Sequence, residues 1–121
     1  QKAVHEFKHF SWVTVISPMA EISPGVTIGE GTFVGPLAVL DGEACVGDHC
    51  IINTTAAVGH QCWVDDFANL CPGSVTGGGT RINKGAFLAI GAMTVPKLEV
   101  GAWSTLGAGG IWSASQNRQT A

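Results

Sequence analysis

The chain has 121 residues, a formal net charge of −3 and a pI of about 5.7. That length suits one domain, and the acidity excludes a general nucleic-acid surface. Charged residues make up only 12% of the chain, well under the usual share, so copies of the chain are expected to cover part of its surface.

The opening residues, QKAVHEFKHF, lack the basic end and apolar run of a signal peptide. No stretch approaches the roughly 18 apolar residues of a membrane helix. A cytoplasmic protein that contacts no membrane is therefore expected. His5-Glu6-Phe7-Lys8-His9 matches the zinc-protease pattern H-E-x-x-H in letters. That motif needs a helix inside a catalytic domain and a third ligand, so it reads here as a chance match and no metal is expected. Residues 1–15 form a segment ahead of the repeat, and FSWVTV within it is expected to cap the first coil.

From Ile16 onward every sixth residue is aliphatic, through Ile22, Ile28, Val34, Leu40 and onward to Leu106, with Thr76 and Thr94 the two exceptions. Four places later in each hexad stands a small or slim residue, such as Ala38, Ala44, Cys50 or Ala56, with Leu98 the bulky exception. Neither a helix nor a plain strand has a period of six. A short strand followed by a tight corner does. Strand alternation points the aliphatic residue and the small one two places before it inward. Gly, Pro, Asn and Asp serve the corners. Hexapeptide repeats of this kind build a parallel β-solenoid with a thin core. Three hexads close a triangular coil of 18 residues, so residues 16–112 predict about five coils of an all-β, single-domain parallel β-helix. Stacked positions are then 18 apart. Thr76 stacks on Thr94, and their hydroxyls are expected to satisfy each other. Trp112 is too large for a thin prism and is expected to form a lid, with residues 113–121 a tail.

The four cysteines, Cys45, Cys50, Cys62 and Cys71, show no C-x-x-C pair and read as reduced, mostly buried thiols. Cys62 falls on an inward small place, so no acyl-enzyme is expected there. Asn53-Thr54-Thr55 is a glycosylation sequon in letters only, since no secretory signal accompanies it.

His60 is the third residue of its hexad, at a corner and pointing outward. The stacking rule places Gly42 one coil below it, Gly78 one coil above, and Pro24 and Pro96 at the ends of the column. The run Gly77-Gly78-Gly79 is expected to leave bare backbone N–H groups beside the imidazole. A base next to exposed amides suits acyl transfer: the base takes the nucleophile's proton and an amide holds the carbonyl oxygen. By spacing alone a solvated corner histidine is the favoured reading. Charge is also segregated. Residues 1–66 carry two lysines against eight acids, net −6, and residues 67–121 carry four cations against Glu99, net +3, the half a phosphate-rich cofactor would prefer.

The stretch INTTAAVGHQCWVDDFANLCPGSVTGGGTRINKGAFLAIGAMTV resembles the hexapeptide-repeat acyltransferases, and within them the sialic-acid O-acetyltransferase and nucleotide-amino-sugar N-acetyltransferase group. The resemblance is most specific over residues 51–75. It implies a left-handed coil, a homotrimer with sites between subunits, and acetyl-CoA as donor to an amino or hydroxyl group of a small-molecule acceptor such as a sugar or nucleotide sugar. It makes His60 the general base and Gly78 the amide facing the thioester carbonyl. Asn53 would lie near the acceptor, and the pantetheine arm would pass Asn69, Gly78, Ile90 and Ala108. The family's acid after the histidine is replaced by Gln61, which is expected to orient the ring without stabilising its charge. A second family histidine is replaced by Asn69, and the group's N-terminal nucleotide-binding domain has no counterpart in residues 1–15. A zinc carbonic anhydrase of the same fold is disfavoured by the eleven-residue spacing of His49 and His60. A non-catalytic solenoid that only assembles or binds is the alternative reading.

Overall fold

The structure, a computed structural model, describes residues 11–113. Among them the chain forms 17 two-residue strands, all paired in parallel, which build a β-solenoid of about five coils consistent with a left-handed β-helix. The first face holds β1 (Val15–Ile16), β4 (Phe33–Val34), β7 (Ile51–Ile52), β10 (Asn69–Leu70), β13 (Phe87–Leu88) and β16 (Thr105–Leu106). The second holds β2 (Glu21–Ile22), β5 (Val39–Leu40), β8 (Ala57–Val58), β11 (Val75–Thr76), β14 (Met93–Thr94) and β17 (Ile111–Trp112). The third holds β3 (Thr27–Ile28), β6 (Cys45–Val46), β9 (Trp63–Val64), β12 (Arg81–Ile82) and β15 (Glu99–Val100). The register is 18 residues throughout, as in Asn69 opposite Phe87 and Thr76 opposite Thr94. Because no hexad carries an insertion, each residue meets its own counterpart one coil away.

From Gly25 onward each corner turns through a left-handed residue at the fourth place of the hexad. Eight of these are not glycine: Leu37, Glu43, His49, Thr55, Gln61, Phe67, Lys97 and Trp103 hold φ between 56° and 64°. Such a conformation costs an ordinary residue roughly 1–2 kcal/mol. The coil below compensates, since the fourth-place N–H donates to a carbonyl there: Gln61 N to Gly42 O and His49 N to Glu30 O, each 2.9 Å. Hexad spacing locates the corner but not this strained place within it.

The core is one residue deep. Val34, Leu40, Ile52, Leu70, Ile82 and Leu88 are fully buried, each worth about 1.5–3 kcal/mol of removal from water. In the first coil Ile16 and Ile22 are exposed, because that coil has one stacked neighbour instead of two among the described residues. Trp112 is half-buried against the end of the core, as expected of a lid. Thr14 already follows the repeat: its hydroxyl donates to Gly29 O, as Thr32 donates to Gly47 O at 2.7 Å one coil on. The expected cap is seen in part, with Trp12 edge-on to His49 at 5.3 Å; Phe10 lies outside the described residues. So do the H-E-x-x-H letters and residues 114–121.

One expectation is corrected. Thr76 and Thr94 stack, but their hydroxyls do not satisfy each other. Thr76 Oγ1 meets Gly59 N and Cys62 Sγ, each at 3.2 Å. Thr94 Oγ1 meets Gly77 N at 3.2 Å and Thr80 Oγ1 at 3.3 Å. The corner glycines come closer to each hydroxyl than the stacked threonine does.

Candidate active site

The corners between the second and third faces carry His60 (residues 59–62) and Gly78 (residues 77–80). His60 is exposed, and its imidazole leans up the column instead of out into solvent. A Cβ built on Gly78 would lie 2.4 Å from His60 Nε2. The ring therefore occupies the space a side chain on residue 78 would need. Below the ring, Gly42 faces open space. The structure thus brings together the two residues singled out as base and amide donor.

The glycine run does not leave three bare amides. Gly77 N donates to Thr94 O at 3.0 Å, and Gly79 N donates to His60 O at 2.9 Å. Gly78 N alone of the three finds no acceptor among the described residues. The cause is local. At three hexads an Asp or Asn in the second place caps the next amide: Asp41 caps Gly42, Asn53 caps Thr54 and Asp65 caps Asp66, each at 2.8 Å, while Asn83 in the same place turns to Arg81, Glu99 and Val100 instead. Before Gly78 that place is Gly77, which has no side chain to offer.

Gln61 turns its side-chain amide to Glu43 Oε1, at 3.4 Å one coil below, and not to the imidazole. The ring-orienting role expected of it has no hydrogen bond here. The reason is the left-handed backbone of Gln61 (φ 56°), which sends its side chain down its own column. Asn53 spends its carbonyl oxygen on the Thr54 cap.

Asn53, Ile90 and Ala108 lie on another edge, between the first and second faces, and Asn69 lies on the first face itself. The width of the second face separates them from His60. Within one chain the structure does not bring the expected cofactor and acceptor residues to the expected base. The amides of Ile90 and Ala108 also find no acceptor among the described residues, because Ala89 and Gly107 precede them. His49 sits on the third edge, stacked on Phe67 at 5.3 Å, far around the prism from the corner of His60. No group of three or more metal-ligating side chains occurs among the described residues.

Sequence reasoning missed the polar lining beneath the His60 corner. Cys62, Thr76, Thr80 and Thr94 are buried and hydrogen-bonded to one another and to the corner backbone. The signal was present: Thr76 and Thr94 break the aliphatic column one coil above Gly59 and Gly77. The thiols are free among the described residues, and burial pushes the Cys50 thiol up to about 11. No helix among the described residues is long and apolar enough to cross a membrane.

Comparison with known proteins supports the resemblance. No protein-family model matches the chain. Among solved structures it is similar to PerB from Caulobacter crescentus in complex with CoA and GDP-perosamine, with TM-score 0.86 and 36% identity over 93% of this chain and 55% of that one. It is similar to the acetyltransferase domain of PglB from Neisseria gonorrhoeae FA1090 in complex with acetyl coenzyme A, with TM-score 0.85 and 31% identity over 93% of this chain and 58% of that one. Among curated proteins it is 35% identical over 65 residues to an acyl-[acyl-carrier-protein]–UDP-N-acetylglucosamine O-acyltransferase of Sinorhizobium fredii, covering 52% of this chain and 24% of that protein. The chain spans just over half the length of these solved structures and about a quarter of that curated relative. The likeness to hexapeptide-repeat acyltransferases extends over nine-tenths of the chain.

Proposed function

We propose that the chain transfers an acetyl group from acetyl-CoA to an amino or hydroxyl group of a sugar or nucleotide sugar, using His60 as general base. The observation that carries this reading is the placement of the His60 imidazole against Gly78, whose amide finds no acceptor among the described residues. The solved structures that hold CoA with GDP-perosamine, or acetyl coenzyme A, support the donor and the class of acceptor.

The step is a direct attack. The acceptor's nitrogen or oxygen bonds to the thioester carbonyl carbon as His60 takes its proton. The carbonyl oxygen gains charge, and Gly78 N–H donates to it. The C–S bond then breaks, the thiolate takes the proton from the imidazolium, and acetylated acceptor and CoA leave. A base of this kind is typically worth about 10²–10⁴ in rate. One oxyanion donor is worth about 10²–10³.

The site is shared between subunits of a homotrimer. Its support is the distribution of the residues over two edges and the apolar outer surface of two faces. Phe33, Ile51 and Phe87 stand exposed on the first face, and Val39 and Ile111 on the second. The third face instead presents Thr27, Cys45, Arg81 and Glu99, plus Trp63 under Arg81 at 4.9 Å. Packing a neighbour against the apolar faces sets the edge of Ile90 and Ala108 from one chain beside the edge of His60 from another. A cytoplasmic setting fits an acetyl-CoA user.

The second reading is a non-catalytic solenoid, and the side chain of Gln61 favours it, since no carboxylate follows His60 to stabilise an imidazolium. Calorimetric titration with acetyl-CoA decides first, followed by an acceptor screen with wild type and His60→Ala. Micromolar binding, and turnover that His60→Ala loses, establish the transferase. No binding at millimolar donor, or equal turnover by both proteins, sinks it.

A further inference from the structure

Two short chains of hydrogen bonds run through the core beneath the His60 corner. In the first, Gly59 N–H donates to Thr76 O at 3.0 Å and also to Thr76 Oγ1 at 3.2 Å, and the Cys62 thiol donates to the carbonyl of Gly77 at 3.1 Å. With the thiol proton on that carbonyl, the Thr76 hydroxyl is the donor in its 3.2 Å contact with Cys62 Sγ. The second repeats the pattern one coil on: Gly77 N–H to Thr94 Oγ1, on to Thr80 Oγ1 (3.3 Å), and from there to Val95 O (3.3 Å). Elsewhere these columns are apolar, with Leu40 and Val58 at the threonine place and Ala44 at the cysteine place. A core turns polar only where each group is satisfied, because an unpaired one costs about 1–3 kcal/mol.

The peptide between Gly77 and Gly78 lies where the two chains meet. Its carbonyl accepts from the Cys62 thiol and from Thr80 N at 3.2 Å, and its other end is the amide of Gly78, which has no acceptor among the described residues. A bond to a peptide's carbonyl polarises its N–H, by about 10–30% per bond in condensed phase. It also fixes the plane of a peptide flanked by glycines, which hold that plane poorly by themselves.

We propose that Cys62 and Thr76 are positioning residues: they fix and polarise the Gly77–Gly78 peptide so that its N–H is aimed at the developing oxyanion. The proposal rests on the acetyl-transfer reading for its purpose but not for its geometry. Neither side chain touches substrate. Cys62 acts through a carbonyl it donates to, and Thr76 acts through Cys62 by accepting from Gly59 and setting the thiol's direction.

The test uses the full chain as wild type, Cys62→Ala, Cys62→Ser and Thr76→Val. Alanine and valine already fill equivalent places in other coils, so these variants are expected to fold; melting temperature checks this. Labelling glycine with ¹³C at the carbonyl and ¹⁵N marks only Gly–Gly peptides, of which the sequence has three: 77–78, 78–79 and 109–110. In Cys62→Ala the 77–78 signal should move upfield, and in Cys62→Ser it should return towards wild type. With acetyl-CoA and an accepted sugar, kcat should fall about 5- to 30-fold in Cys62→Ala and Thr76→Val, less than the ~10²–10³ of losing a donor outright. KM for acetyl-CoA and the pH profile set by His60 should stay, and serine should rescue. An unmoved 77–78 signal in Cys62→Ala overturns the geometry whatever the rates do. A moved signal with unchanged kcat overturns the catalytic purpose. A wild type that never turns over removes that purpose by sinking the transferase reading, while the signal still judges the geometry.

Discussion

The imidazole of His60 lies over the α carbon of Gly78, in the volume a methyl group on residue 78 would fill at 2.4 Å from Nε2. Glycine at 78 leaves the ring this position through space alone, since its φ is not in the left-handed region. Gly78→Ala should displace the ring and cover the amide together. Acetyl transfer should fall at least about 10²-fold, the scale of one lost oxyanion donor. Acetyl-CoA affinity, read by calorimetry, should change far less. Full activity in Gly78→Ala would show that the ring's position is irrelevant.

Stability should carry an alkaline signature from Cys50. Its thiol is raised from 9.0 to about 11 by burial, with hydrogen bonds to backbone partly offsetting it. The unfolded thiol ionises first as pH rises, so the stabilisation is whole below about pH 9 and is lost between pH 9 and about 11. Two pH units correspond to about 3 kcal/mol. Cys50→Thr keeps a donor to Asp65 O, as Thr32 has to Gly47 O, and removes the ionisation. Its denaturation midpoint should be flatter than wild type over that window. Parallel curves would contradict the assignment.

Backbone strain and crowding separate cleanly at Gly73. Its φ is +74°, and the nearest atoms to a Cβ there lie 3.9 Å away on Gly91, which is ordinary contact. Gly73→Ala should therefore cost only the left-handed penalty, about 1–2 kcal/mol. Urea unfolding would measure it. A loss near zero would mean that stacking alone holds the corner.

The apolar faces make a prediction about assembly. A charge at Ile51 or Val39, each over a third exposed, should split the proposed trimer because an unpaired charge is costly to bury. Thr27→Asp on the polar third face should leave it intact. Sedimentation of Ile51→Asp, Val39→Asp and Thr27→Asp gives the answer, and a trimer surviving both apolar-face variants would place the interface elsewhere.

Much of this was legible in the residues themselves. An unbroken period of six states strand, corner and inward side, and multiplying by three places His60 under Gly78 and Thr76 under Thr94. Those relations are arithmetic, because a solenoid without insertions makes stacking a function of sequence separation. What the period could not state is where, within a corner, each group points. The left-handed fourth place of Gln61 sends its amide to Glu43 and away from the ring. The hydroxyl of Thr76 chooses Gly59 and Cys62 over Thr94. The edge that carries Ile90 and Ala108 is not the edge that carries His60. Each of these turns on distances of a few ångströms between side chains and backbone of adjacent coils. Hydrogen bonds discriminate at that scale, and only the closed prism sets it.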